Sequence, residues 1–213
     1  MGRILVFMLA ILLFLPEIGS ASQDGYMLGR KNRKDRNARN KANKINECRA
    51  SLSGLYNCLQ LYPRDRKGRL PQKDNAPGLR ELLKNGATVN DFICVPYKGR
   101  TMKKLEDFSE ERLPYLYFGG ANIQPQQLKE SPKRVLLCDK PETKHINALL
   151  ADGTIVELQP KRYNRKIESC VDIIQLLDAM YNYDAKTLKS LLAKAKRMDE
   201  NIFGKKPRNT SKR

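Results

Sequence analysis

The sequence predicts an α+β fold in which an N-terminal amphipathic helix packs on a small antiparallel sheet, closed by a C-terminal helical hairpin. Three observations carry this. Apolar residues recur every three or four positions from Ile45 to Tyr62 and again from Ile167 to Leu192. Between those stretches the apolar runs are short and bounded by turn residues, and two of them flank Asp152-Gly153. Helices at the two ends of an antiparallel sheet region are the pattern of an α+β domain.

At the N-terminus Arg3 precedes twelve uninterrupted apolar residues at 4–15, then Pro16 and the small residues Gly19, Ser20, Ala21 and Ser22. That is the three-part layout of a secretory signal peptide, and the run falls short of the about 20 apolar residues that span a bilayer. Residues 1–22 are therefore read as a signal peptide cleaved after Ala21 or Ser22, with an uncleaved membrane anchor as the alternative. The protein is expected to be exported, to the periplasm, the envelope or the extracellular space. The leader carries one base, Arg3, and one acid, Glu17, so the formal charge of +18 belongs to the mature chain.

Residues 29–44 read GRKNRKDRNARNKANK. Arg30, Lys31, Arg33, Lys34, Arg36, Arg39, Lys41 and Lys44 face a single acid, Asp35, and no large apolar side chain is present. Such a segment adds nothing to a core and is either flexible or an exposed helix. Residues 23–44 thus form a basic arm, and its eight bases are candidate contacts to a polyanion: a cell-surface polymer, anionic lipid headgroups or nucleic acid. Nucleic acid is the less favoured, because no aromatic residue interleaves the charges to stack on bases. A soluble linker is the other reading of the arm.

The first core helix is expected at residues 43–62, where Ile45, Cys48, Leu52, Leu55, Leu59 and Tyr62 form one stripe before Pro63. A short helix follows, with Asn75 as cap, Pro77 near its first turn, Leu79, Leu82 and Leu83 on one side, and Gly86 at its end. Strands are expected at 91–95, 115–118, 134–138, 146–150 and 154–158. Asp152-Gly153 between the last two marks a hairpin, since glycine accepts the positive φ of a tight primed turn. After a basic connector, Ile167, Cys170, Val171, Ile174, Leu177 and Tyr181 share one helical face. A last helix begins at the Asp184 cap with Leu188, Leu191 and Leu192 inward. Residues 161–203 make this helical hairpin, an appendage to the sheet region packed on the domain's own core, and 204–213 a basic tail.

Cys48, Cys58, Cys94, Cys138 and Cys170 are all disulfide candidates in an exported chain. An odd number leaves at least one thiol unbridged in a monomer. Cys48 and Cys58 share one helix and lie about 15 Å apart along its axis, beyond the roughly 4.4–6.8 Å between α-carbons that a bridge tolerates. They do not pair with each other. No C-x-x-C occurs, and the lone His145 does not complete a Cys/His zinc site.

The order of segments adds a further expectation. CRASLSGLYNCLQLY at 48–62, GRLP at 68–71, FICVP at 92–96 and YLYFGG at 115–120 lead to LLCD at 136–139, His145, and NALLADGTIVE at 147–157. Over residues 48–158 this succession resembles the head of the pilin-like proteins that carry the prepilin-type processing-associated H-X9-DG domain. The resemblance implies a pilin-like head at residues 45–160, with His145, Asn147, Asp152 and Gly153 as its motif residues. It implies a structural or interaction protein related to the pseudopilins of type II secretion, with a protein partner in the envelope or the secretion machinery. The chain departs from the family pattern twice. It has a signal peptide and a hydrophilic basic segment where the family has a long apolar assembly helix, which implies a head detached from the filament-forming part. Only six residues separate His145 from Asp152, where the family's name specifies nine. Secretion-system heads of this kind often hold calcium, which makes Asp139, Glu142 and Asp152 weak candidate ligands.

No Ser-His-Asp arrangement, phosphate-cradling glycine loop or H-E-x-x-H appears, so neither catalysis nor a small-molecule substrate is expected. The two functional expectations are an exported pilin-like interaction head, and a cationic polyanion- or envelope-binding protein whose basic arm is the active part.

Overall fold

The computed structural model describes residues 23–62, 69–94, 107–119, 130–143 and 145–204, with side chains described from residue 35 onward except at 41 and 203. The expected signal peptide at 1–22 and the expected basic tail beyond Gly204 lie outside the described residues. The chain divides into two units, residues 1–43 and 44–213. Helix α1, Gln23–Leu61, is followed by α2, Asn75–Leu83, and a 3-10 turn, Val89–Phe92. Four strands come next: β1, Tyr115–Tyr117; β2, Val135–Asp139; β3, Ile146–Leu150; and β4, Ile155–Leu158. A second 3-10 turn, Pro160–Tyr163, leads to α3, Cys170–Tyr181, and α4, Ala185–Phe203. The architecture is α+β, with one antiparallel sheet in the order β1-β2-β3-β4 and helices at the C-terminal end.

Alternation along the strands sorts the apolar side chains into two cores. Tyr115 and Tyr117 of β1 and Leu149 of β3 join Leu52, Leu55 and Leu59 of α1, Leu79 and Leu82 of α2, and Phe92. Leu116, Phe118, Ala148 and Leu150 join Ile173, Ile174 and Leu177 of α3 and Leu191, Ala195 and Met198 of α4. Each fully buried leucine or phenylalanine here contributes about 1.5–3 kcal/mol. On β2 the alternation breaks: Val135 pairs with Leu150 and Leu137 with Leu149, so Leu136 is an extra residue, a bulge. Leu136 and Leu137 consequently enter the same core, while Val135 and Cys138 enter the other.

The C-terminal hairpin packs on the domain's own core as expected, though as a full half of that core and not as an appendage. Helices α3 and α4 cover a whole sheet face, which is why β2 and β3 are buried at every residue and do not alternate. Ser169 starts α3, its side chain accepting from the Asp172 amide, and Asp184 starts α4 by accepting from the Thr187 amide, the latter as expected. Leu191 is buried as expected, whereas Leu188 and Leu192 are half-buried.

Two further expectations are corrected. The strand expected at 91–95 is the 3-10 turn, with Ile93 and Cys94 irregular. A short local bond explains this, since the Asp91 carboxylate accepts from the Thr88 amide at 2.7 Å and from its hydroxyl at 2.9 Å. Asn75 is not the cap of α2; Asp74 holds that position. Asn75 instead takes φ +48° and its Oδ1 accepts from the Tyr117 amide at 2.9 Å, satisfying a donor on the edge strand β1.

Candidate functional site

The basic arm and a buried polar cluster are the two places where the chain concentrates chemistry. The arm lies within α1, so its backbone is helical. Arg36, Arg39 and Lys44 are exposed, as are Asp35, Asn37, Ala38, Asn40, Ala42 and Asn43. The side chains of Arg30, Lys31, Arg33, Lys34 and Lys41 lie outside the described residues. At 1.5 Å per residue, the stretch 29–44 is about 24 Å of cationic helix.

The buried cluster is assembled from four places on the chain. Cys48 comes from α1, Cys94 follows the first 3-10 turn, Asp139 ends β2, His145 immediately precedes β3, and Asn147 lies within it. All are buried: Cys48, Asp139 and Asn147 are 0% exposed, Cys94 2% and His145 7%. Cys48 Sγ and Cys94 Sγ approach to 2.6 Å. One donor atom from each of Cys48, Cys94 and His145 lies within 4.8 Å of the others. Asp139 Oδ2 accepts from the Asn147 amide and from its Nδ2, both at 2.8 Å, and stands 3.5 Å from His145 Nε2. That last separation is an ion-pair distance and too long for a hydrogen bond; among the described residues neither His145 Nε2 nor Asp139 Oδ1 has a hydrogen-bond partner.

Electrostatics here follow from dryness. Burial pushes the Asp139 carboxyl up to about 7 against the opposing pull of the Asn147 amide and the His145 charge. His145 is raised above its ordinary value, first by its hydrogen bond with Cys48 and also by the Asp139 charge, with burial acting against both. Burial likewise holds the Tyr115 hydroxyl well above its usual range. Around the cluster, Arg49 reaches Asn147 Oδ1 at 3.4 Å and Glu157 at 3.2 Å. His145 also lines a surface pocket of about 520 Å³ with Thr143, Glu157, Lys161 and Arg162.

Thiol, imidazole and carboxylate in succession form the order nucleophile, base and orienting group. With both sulfurs buried, the chemistry open to the group is proton sharing, thiol oxidation or metal coordination. The other cysteines lie apart. Cys138 and Cys170 belong to the opposite core, and burial raises the pKa of both. Cys58 is half-buried on α1.

The motif residues separate into two places. His145 and Asn147 stand in the cluster, while Asp152 and Gly153 occupy the turn at the far end of β3. Asp152 there accepts from Lys133 Nζ and from the Thr154 amide, at 2.8 and 2.9 Å. Asp139 is buried and Glu142 and Asp152 are exposed; among the described residues these three carboxylates do not converge on a common ligand position. What residue spacing missed is the convergence of Cys48, Cys94 and His145, which no motif announces. Among the described residues no helix is long and apolar enough to cross a membrane. No family model matches the chain, and no curated protein or solved structure matches it.

Proposed function

We propose that the chain is a non-enzymatic, exported interaction protein whose cationic helical arm engages an anionic partner at the cell envelope, with the unit from residue 44 onward as its stable carrier. One observation carries this reading: residues 29–44 hold eight bases against one acid, run as helix, and expose every side chain described there. A helix without an apolar face has no place in a core, and a rod of one charge sign attracts the opposite sign over a Debye length. The buried thiols, closed to solvent, support a structural role over a catalytic one. The pilin-like reading of the second unit draws support from α1, whose Leu52, Leu55 and Leu59 share a core with the antiparallel sheet, and from the terminal hairpin at Asp152-Gly153. A detached pilin-like head would present a protein-binding surface in addition to the arm.

Binding of the full chain to fluorescent heparin, followed by anisotropy as salt rises from 50 to 200 mM, tests the reading. If most of the eight bases neutralise charge, affinity drops on the order of a thousandfold, and replacing Arg30, Lys31, Arg33 and Lys34 by Gln, four of the eight, removes about half of the logarithmic salt slope. Equal affinity in the two proteins would reject the arm as the binding element. A protein crosslinked to both from envelope extracts would favour the pilin-like head as the working surface.

A further inference from the structure

We propose that Cys48 and Cys94 are joined by a disulfide in the working protein, a bridge that ties α1 to the segment leaving the 3-10 turn. The sulfurs already stand at 2.6 Å, inside the contact distance of two unbonded atoms, which is about 3.5 Å or more. Two covalent readings compete. A disulfide requires S–S of about 2.05 Å, so the sulfurs need to close by only about half an ångström. Shared tetrahedral zinc, with Zn–S of about 2.3 Å, sets the sulfurs about 3.7 Å apart and requires them to separate by more than an ångström. The geometry favours the bridge.

Independent contacts hold the two segments together. Ser51 Oγ, one turn beyond Cys48 on α1, donates to the Ile93 carbonyl at 3.1 Å, and the Tyr115 hydroxyl donates to the same carbonyl at 3.3 Å. The residue preceding Cys94 is thus pinned to the helix and to β1 without any help from sulfur. The sheet also limits the choice of partner. Cys48 and Cys94 belong to the core beneath α1, while Cys138 and Cys170 belong to the core beneath α3 and α4. Cys58 is too far along the same helix from Cys48 to compete.

The bond forms by exchange with a disulfide-bearing thiol carrier, such as oxidised glutathione or a protein oxidant. The Cys48 thiol loses its proton to solvent, and the thiolate attacks one carrier sulfur, displacing the other as a thiolate that takes up a proton in turn. The Cys94 thiol then loses its proton, and its thiolate attacks Cys48 Sγ, displacing the second carrier sulfur. Two S–H bonds are lost and one S–S bond is gained; the two electrons and two protons leave on the carrier as two thiols. Because the cysteines are 0% and 2% exposed, the exchange belongs to folding, before α1 seats, and the finished bridge is shielded from reductants.

The full chain, unfolded and reduced, would be refolded in a glutathione buffer with a chelator, its remaining thiols alkylated, and its non-reduced peptides mapped by mass spectrometry. The same map on chain purified directly from cells that export it avoids refolding. The expected result in both is a linked peptide holding Cys48 and Cys94, with Cys58 alkylated. Alkylation of both Cys48 and Cys94, or their linkage to other cysteines, would overturn the proposal. So would one equivalent of zinc that the protein retains in oxidised glutathione while keeping both thiols from alkylation, which would make the cluster a metal site.

Discussion

Asp139 and His145 give the cleanest consequence at the level of single residues. An aspartate in an unfolded chain titrates near 3.9 and a histidine near 6.5, whereas in the folded protein Asp139 is pushed to about 7 by burial and His145 is also raised. Both folded values lie above the unfolded ones, so the native state holds more protons than the unfolded state from about pH 4 to 7. The stability they contribute is complete below the unfolded values and is lost as pH rises through the folded ones. One proton of difference is worth about 1.4 kcal/mol per pH unit. Urea unfolding of the native sequence should therefore show stability declining from pH 5 to 8. Asp139→Asn, which keeps an acceptor for the Asn147 amide, should remove most of that decline. A decline of unchanged size in the variant would mean that the carboxyl is ionised throughout. Lys194 offers a second case: it is 6% exposed, donates to the Phe118 carbonyl at 3.1 Å and pairs with Asp74 at 2.8 Å. Lys194→Met keeps the stem but strands that carbonyl, and a loss of about 1–3 kcal/mol in chemical denaturation is expected.

At the level of elements, the terminal hairpin shows what a dipeptide can and cannot specify. Asp152-Gly153 announced a turn between two strands, and the hairpin is there, with Ile146 opposite Leu158 and Leu149 opposite Ile155. The turn itself is longer than the expected two-residue form. The Gly153 amide donates to the Leu150 carbonyl at 3.0 Å and the Leu150 amide to the Thr154 carbonyl at 2.9 Å, enclosing three residues with Gly153 at φ +84°. A β-carbon on Gly153 would come within 2.8 Å of the Tyr56 ring, a contact between distant elements that no local pattern reveals. Gly153→Ala should accordingly cost about 1–3 kcal/mol through its backbone conformation and this clash together. In a Tyr56→Ala background the steric part should vanish and only the backbone part remain, as a double-mutant cycle would show. Equal costs in the two backgrounds would leave no room for the clash. The short run at 91–95 failed for a related reason: five residues do not distinguish a strand from a turn, and the Thr88–Asp91 bonds decided it.

For the whole molecule, the apolar periodicities of α1, α3 and α4 were readable, whereas the sharing of the sheet between two cores was not. That sharing depends on the two-sided burial of β2 and β3, and a run such as residues 135–139 carries no mark of which face meets which helix. The site was hidden for the same reason, since Cys48 and Cys94 stand 46 positions apart and meet only in the folded core they share. Their bridge would close a loop worth about 4 kcal/mol in the chain-entropy picture. The two-core arrangement makes its own prediction about truncation. Without residues 170–213, Leu116, Phe118, Val135, Cys138, Ala148 and Leu150 lose the side chains of α3 and α4 that bury them. At about 1.5–3 kcal/mol for each of the large side chains Leu116, Phe118, Val135 and Leu150, that loss is comparable to the about 5–15 kcal/mol by which a domain is stable. A chain of residues 44–169 should therefore fail to unfold cooperatively and should bind a hydrophobic dye. A chain of residues 44–213 should melt cooperatively near the midpoint of the full protein, because among the described residues neither core takes a side chain from the first unit. A sharp calorimetric transition in the shorter chain would mean that the core beneath α1 suffices by itself and that the C-terminal hairpin is an appendage after all.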